Sequence, residues 1–339
     1  MFARYKDMVE RELSQAVPPA SENGLNTLMR YHLGWVDHSG KPAPTSLSQG
    51  KALRPTLCMF ACEALDGDIQ QAMPAAAALE LIHNFSLMHD DIQDQDLERR
   101  HQATVWALWG APRALVAGDA MQSLGDLEML RSSLLNVAPK VTLQVSQILT
   151  ESYLEMIEGQ CLDLGFESRV DITTDDYLRM IACKTGALIR SSLHIGALLA
   201  TDDRDTADAF ARFGNFLGRA FQIRDDYLGI WGNEATTGKS SDSDIRRRKK
   251  SFPVVYAFQE ASGRSRDDLL RIYRQDDLDD SDLRRVMAIL EEVGASEHCQ
   301  ALTQQSAELA VAALAGVELS GWARSEVGEL VDFLARREY

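Results

Sequence analysis

Glu80-Leu81-Ile82-His83-Asn84-Phe85-Ser86-Leu87-Met88-His89-Asp90-Asp91-Ile92-Gln93-Asp94 reads as a helix, apolar along most of its length, that turns acidic at its C-terminal end. At about 100° per residue, Asp90 and Asp94 stand one turn apart on one face, and Asp91 lies about 100° further round. Like charges at this spacing destabilise a bare helix by about 0.2–0.5 kcal/mol. The negative end of the helix dipole adds to that cost. A positive partner is therefore expected, and Mg²⁺ suits the place because it takes hard oxygen ligands and shares them with phosphate. Taken alone, the Asp90–Asp94 run is better explained as a solvated acidic face.

The rest of the chain changes that balance. Phe221-Gln222-Ile223-Arg224-Asp225-Asp226 puts a second acidic pair inside an otherwise apolar helical stretch, where a solvated face is a poor explanation. Two such clusters on separate helices would hold metal ions between them, bridged by a phosphate-bearing substrate. Cations stand where that substrate needs them. Lys51 and Arg54 lie near a helix start, whose free N–H groups also favour phosphate. Arg99-Arg100 follow the first cluster, Lys184-Thr185 opens a later helical segment, and Lys239 and Lys249-Lys250 lie in a long polar stretch. Each alone is more often a surface cation; their joint occurrence beside the aspartates is what informs. His83 is otherwise a core histidine, but it lies within about 20° of Asp90 on the helical wheel.

Around these motifs the pattern is helical almost throughout. Helices are expected at about 1–17, 21–36, 53–66, 71–96, 104–134, 139–165, 174–201, 204–230, 252–262, 265–274, 280–293, 297–315 and 320–337. The clearest interruptions are the Gly- and Pro-containing stretch 39–45 and the polar stretch 231–251. No period-two alternation and no internal repeat is evident, so residues 1–339 are read as one all-α domain.

Composition narrows the function classes. A formal net charge of -16 argues against a general nucleic-acid binder, because a phosphate backbone repels such a surface. Phosphate must then be met through local basic pockets or bound metal. Five cysteines without a CxxC pair indicate neither a disulfide framework nor a zinc site, and are expected as buried free thiols in a reducing cytosol. No run of 18 apolar residues and no signal-peptide core occurs, so a soluble, cytoplasmic protein with no transmembrane segment is expected.

The stretch from Glu80 to Asp91 followed by Arg99-Arg100 resembles the first aspartate-rich region of trans-type isoprenyl diphosphate synthases, and Phe221–Leu228 resembles the second. Gly50-Lys51-x-x-Arg54-Pro55, Gly159-Gln160-x-x-Asp163-Leu164, Lys184-Thr185-Gly186 and Thr237-Gly238-Lys239 are similar to four further elements of that family. They stand in family order from about residue 48 to 255. The resemblance implies a single-domain orthogonal helical bundle around a deep central cavity, of the isoprenoid synthase type, and usually a homodimer. It implies that Asp90, Asp94 and Asp225 bind Mg²⁺, three ions with substrate bound, bridging an allylic diphosphate. Asp91, Arg99, Lys184, Thr185, Gln222, Asp226 and Lys239 would hold or surround that substrate, with Lys249 beside them. Lys51, Arg54, His83 and Arg100 would hold the diphosphate of isopentenyl diphosphate. The implied reaction ionises the allylic diphosphate, adds isopentenyl diphosphate to the cation and loses a proton.

Three departures from the family pattern stand out: Gly229 where many relatives carry a third aspartate, Ala52 for a common basic residue, and His101 for a common glycine. Bulky Phe85 and small Ser86, five and four residues before Asp90, resemble the pattern of short-chain synthases making the C20 product geranylgeranyl diphosphate. The C15 product farnesyl diphosphate is the alternative. A class I terpene cyclase would share Asp90–Asp94 but carries Asn, Ser/Thr and Glu in its second motif, where this chain has Asp225-Asp226. A non-catalytic partner subunit commonly loses one aspartate motif, and this chain keeps both.

Overall fold

The computed structural model describes residues 1–20, 24–43, 52–232, 243–275 and 277–336. Helices dominate: α1 (Phe2–Ala16), α2 (Leu25–His32), α3 (Leu53–Ala64) and α4 (Ile69–Gln93) precede a two-stranded hairpin of β1 (Glu98–Arg99) and β2 (Gln102–Ala103). Then come α5 (Val105–Trp109), α6 (Ala111–Leu130), a 3₁₀ turn (Arg131–Leu135), α7 (Pro139–Phe166) and α8 (Thr174–Ile181). A π-helical turn (Ala182–Gly186) leads into α9 (Ala187–Ala200), and α10 (Arg204–Trp231) follows. The remainder is α11 (Ser243–Arg246), α12 (Phe252–Glu260), α13 (Gly263–Ile272), α14 (Asp280–Glu292), α15 (Ala295–Ala313) and α16 (Gly321–Arg336).

The chain divides into two compact units. The first comprises Met1–Tyr153 and Ser191–Asp208, with α4 packed against α6, α3 and α1 at its centre. The run Ala75–Ala78 is wholly buried, and such small side chains let neighbouring helices approach closely. Asp68 caps α4 by accepting a hydrogen bond from the Gln70 N–H at 2.9 Å, which satisfies an otherwise orphan donor of the first turn. The second unit comprises Leu154–Arg190 and Ala209–Tyr339. One of its core clusters joins Ile230 and Ile245 to residues of α12 to α14. Another gathers Tyr177, Ile223, Phe252 and Cys299.

Several sequence expectations need correction. The helix expected over 104–134 is broken at Gly110, whose φ of 84° is left-handed backbone that ends α5 and starts α6 at a new angle. The helix expected to reach residue 96 stops at Gln93, with Asp94 as its C-cap. Lys184 and Thr185 do not open a helix; they lie inside a π turn within an uninterrupted helical run from Thr174 to Ala200. A β-hairpin at 98–103 replaces the expected absence of strand. Of the five free cysteines, Cys58, Cys62 and Cys299 are buried, whereas Cys161 is exposed and Cys183 partly so. Among the described residues no helix is long and apolar enough to cross a membrane.

Candidate active site

In the first unit, α4 carries the acidic motif on its last turn. Asp94 donates its N–H to the Asp90 carbonyl at 2.8 Å, so helical geometry persists to the cap and both side chains share one face. Asp90 is half-buried and Asp94 exposed. Asp91 points the other way: it is 1% exposed, and its Oδ1 accepts from Arg99 Nε at 2.6 Å. Burial pushes its carboxyl up to about 6, against the pull of Arg99. Its Oδ2 is buried without a partner, and Asp91 lines a small cavity with His32, Arg99 and Arg100.

The hairpin explains how two arginines reach this region. Glu98 pairs with Ala103 and Arg99 with Gln102, leaving Arg100 and His101 as a two-residue loop with φ of 52° and 62°. A loop with both central residues left-handed twists the way its strands do. Glycine meets that demand most cheaply, and here Arg100 and His101 meet it with a Cβ in place.

Arg54, on the first turn of α3, and Arg100 both lose basicity on burial, Arg54 to about 10. Both are opposed by Glu80, which is itself 7% exposed and accepts from Asn84 Nδ2 at 3.0 Å. Its other oxygen, Arg54 Nε and Asn84 Oδ1 are buried without partners. Burial, with Arg54, Arg100, Arg99 and His32 nearby, holds His83 well below the usual imidazole range, so it is neutral at pH 7. The region is thus a partly desolvated group of cations, suited to an anion that brings its own charge.

Phe85 is 3% exposed and meets Tyr153 edge-to-face, with ring centroids 6.3 Å apart. Tyr153 Oη donates weakly to Asp126 Oδ2 at 3.4 Å. Ser86 is half-buried and donates to the His83 carbonyl at 2.7 Å, back onto its own helix. Tyr153 was invisible in the sequence, because nothing in a lone tyrosine on α7 marks which ring it meets.

In the second unit, Asp225 is exposed on α10 while Asp226 is 0% exposed. Asp226 Oδ2 accepts from Tyr177 Oη and from the Phe252 N–H at 3.1 Å. Its Oδ1 accepts from Gln222 Nε2 at 3.1 Å and lies 3.8 Å from Lys249 Nζ. Burial still raises its carboxyl to about 6, with Lys249 and Tyr177 opposing. Asp226 is thus an internal anchor rather than an outward-facing ligand. Gln222 passes the hold on by accepting from Thr185 Oγ1 at 2.8 Å. Lys184 Nζ donates to Asp163 Oδ2 on α7 at 2.6 Å. The π turn that carries Lys184 and Thr185 lies against Gly159, where an added Cβ would come 2.3 Å from the Lys184 N. That close approach requires glycine. Such single π turns are frequent at functional sites. Lys51 and Lys239 lie outside the described residues.

Asp90 with Asp94, and Asp225, form sets of hard oxygen donors that suit Mg²⁺. Among the described residues no three acidic, histidine or cysteine side chains converge into a self-contained metal cage.

Comparison with known proteins supplies the family. Residues 38–290 match the family model described as polyprenyl synthetase. The chain is 45% identical over 232 residues to a (2E,6E)-farnesyl diphosphate synthase of Mycobacterium tuberculosis, covering 68% of this chain and 63% of that relative's length. It is 38% identical over 291 residues to a geranylgeranyl diphosphate synthase of the same organism, covering 86% and 81%. The crystal structure of a polyprenyl synthetase from Streptomyces coelicolor A3(2) superposes with a TM-score of 0.89 at 34% identity, covering 98% of both chains.

Proposed function

Because the chain belongs to the polyprenyl synthetase family, we propose that it joins isopentenyl diphosphate to an allylic diphosphate, giving a trans prenyl diphosphate of short chain. Geranylgeranyl diphosphate is the first choice of product. The observation that carries the reading is two sets of groups: the aspartates, with Asp90 and Asp94 next to the pinned Asp91 on α4 and Asp225 next to the pinned Asp226 on α10, and, within the first unit, the basic residues Arg54 and Arg100 with the neutral His83. The first set holds one diphosphate and the second another. A chain-elongating enzyme needs both, whereas a cyclase needs only the first.

In this reading Asp90, Asp94 and Asp225 hold Mg²⁺, which when bound supplies Lewis-acid pull on the departing diphosphate oxygens. Arg99, fixed by Asp91, and Lys184, Thr185 and Lys249 meet the same diphosphate, with Lys239 in the matching family position. Arg54, Arg100, Lys51 and His83 hold isopentenyl diphosphate. The allylic C–O bond breaks and its electron pair leaves with the diphosphate. The double bond of isopentenyl diphosphate then attacks the cation, and the proton lost from the adduct passes to the released pyrophosphate. Water must be kept from the cation, a task that falls to apolar side chains such as Phe85.

Other parts of the reading rest on narrower support. Leu115, Val116, Leu127 and Leu130 are exposed on α6, with Leu134 on the turn that follows, which supports burial of that helix in a homodimer. One domain spanning 1–339 and a cytoplasmic location belong to the same proposal; the family model crosses both units. The farnesyl alternative draws on the 45% identity to a synthase of that product.

The decisive assay offers isopentenyl diphosphate with C5, C10 and C15 allylic starters and Mg²⁺ to the purified protein alone, and measures product length. A C20 product from the C15 starter is expected. Hydrocarbon or alcohol formed without isopentenyl diphosphate would mean a cyclase, and a folded protein inert toward all three starters would mean a non-catalytic subunit. Within the assay, Ser86→Phe is expected to shorten the product and Phe85→Ala to lengthen it. Unchanged products from both would remove these residues from the control of length.

A further inference from the structure

The last residue of α2, His32, shares a small cavity with Asp91 and with the hairpin arginines Arg99 and Arg100. Its surroundings are tied down on both sides. Tyr31, one residue earlier, donates its Oη to the Ala103 carbonyl of β2 at 2.8 Å, and its ring meets Trp109 edge-to-face with centroids 5.0 Å apart. Just beyond His32 the helix closes: the Gly34 N–H donates to the Tyr31 carbonyl and the Trp35 N–H to the Arg30 carbonyl, both at 2.9 Å. Gly34 takes a φ of 77° there, the left-handed backbone that glycine supplies at helix ends. The far side of the hairpin is closed by Thr104 Oγ1 and Trp106 Nε1, which both donate to the Asp96 carbonyl at 2.8 Å.

The cavity measures about 20 Å³, and one water needs about 10–15 Å³. Two of its lining residues carry a buried polar atom with no hydrogen-bond partner, His32 Nε2 and Asp91 Oδ2. Leaving such atoms unpaired is costly, and internal waters bond groups of this kind. The imidazole suits the place because it is neutral: burial, with Arg100 and Arg99 nearby, holds its basicity far down. A neutral ring offers one donor and one acceptor, so it joins a hydrogen-bonded group beside two guanidiniums without cancelling their charge. Arg99 already has a direct bond from its Nε to Asp91 Oδ1 at 2.6 Å. Arg100 stands at the tip of the hairpin on left-handed backbone, and the cavity is where it can be steadied.

We propose that this cavity binds one structural water, and that His32, through it, is a positioning residue for Arg100. The water donates to Asp91 Oδ2 and to the His32 Nε2 lone pair, and accepts an N–H from the Arg100 guanidinium. α2 thereby supports the isopentenyl diphosphate pocket from behind its cations. The effect on substrate rests on the reading that Arg100 meets that diphosphate; the water itself does not.

Two experiments test this. A crystal structure of the wild-type protein is expected to show one ordered water within about 3.2 Å of both atoms; a cavity without it overturns the proposal. In steady-state kinetics His32→Leu, close in volume and apolar, is expected to raise the KM for isopentenyl diphosphate about three- to tenfold, the worth of one neutral hydrogen-bonded link. The KM for the allylic substrate and kcat should each move by less than about twofold, because Arg99 keeps its bond to Asp91. His32→Gln, which keeps a neutral donor and acceptor, should recover most of the loss. A purely structural role would instead lower the thermal midpoint and raise both KM values together. That parallel rise, or an unchanged KM for isopentenyl diphosphate, overturns the role given to His32. Should His32→Leu not fold, His32→Ala carries the same comparison. If wild type holds the water but turns over no substrate, the functional reading fails instead, and the two failures are distinguishable.

Discussion

Asp91 closes the first aspartate pair on α4 and Asp226 the second on α10, and each is the inner member, 1% and 0% exposed, beside a neighbour that reaches solvent. The carboxyls of both are pushed up to about 6 by burial. They differ in how they are held. Asp91 has one partner, Arg99, and one oxygen left over. Asp226 has Tyr177, the Phe252 N–H, Gln222 and Lys249. In each motif the inner aspartate thus fixes a neighbouring cation, Arg99 for Asp91 and Lys249 for Asp226. The second region invests its inner aspartate in architecture, tying α8, α10 and α12 together. The first invests it in one arginine on a hairpin.

Truncation should separate the two regions most sharply. Asp226→Ala strands a buried tyrosine hydroxyl, a backbone N–H and a lysine, and is expected to cost about 3–5 kcal/mol in urea unfolding of the apo protein at pH 7. Asp91→Ala removes a single pairing whose arginine is partly exposed, and should cost about 1–3 kcal/mol. Equal losses would erase the distinction between the two pairs.

Asp90→Asn and Asp225→Asn attack the outer members instead. Each is expected to lower kcat by about 10²- to 10³-fold with the thermal midpoint of the apo protein nearly unchanged. A large fall in stability from either would mean that the outer aspartates are structural too.

The first region also has a pH signature tied to its crowded cations. Burial, with Arg100 and Arg99 nearby, drives His32 down to about 3, whereas an unfolded histidine titrates near 6.5. Between these values the unfolded chain binds a proton that the folded chain refuses, so His32 costs stability as pH falls below about 6.5. The slope is about 1.4 kcal/mol per pH unit. Other groups titrate in the same range, so the measurement is the difference between wild type and His32→Gln in urea unfolding from pH 7 to 5. Wild type should lose ground relative to the variant as pH falls; a constant difference would contradict the buried, neutral state of His32.

The helical character of α4 and α10 was legible because their apolar positions recur at the helical period for many turns. Placement of Asp90 and Asp94 on one face followed from spacing alone. What stayed hidden depends on geometry that periodicity does not encode. Gly110 looked like one more residue in a helical run until its φ of 84° split the run in two. The π turn at Ala182–Gly186 shifts the register by one residue, too little to disturb the pattern. The burial of Asp226 depends on Tyr177 and Phe252, 49 and 26 residues away along the chain, and no local pattern joins them. Gly229 read as a missing ligand, and no local pattern shows that Asp244 Oδ2 lies 2.4 Å from the place a Cβ would take there. Lys51 and Lys239 remain readings of the sequence, outside the described residues.

The smallest effect concerns the hairpin that sets Arg99 against Asp91, a device without a counterpart in the second region. Arg100 and His101 both take left-handed backbone, which disfavours a residue with a Cβ by about 1–2 kcal/mol. Histidine tolerates that conformation better than most residues do. His101→Gly relieves the strain but gives the unfolded chain more freedom, a loss of about 0.4–1 kcal/mol. The two terms leave a net gain of about 0.5–1 kcal/mol. Denaturant unfolding of the apo variant measures it. The hairpin keeps its register, so Arg99 should keep its hold on Asp91 and the KM for isopentenyl diphosphate should stay within about twofold. A loss of stability would show that the His101 side chain makes a contribution that outweighs its backbone strain. A large rise in KM with stability unchanged would show that the strain itself aims Arg100.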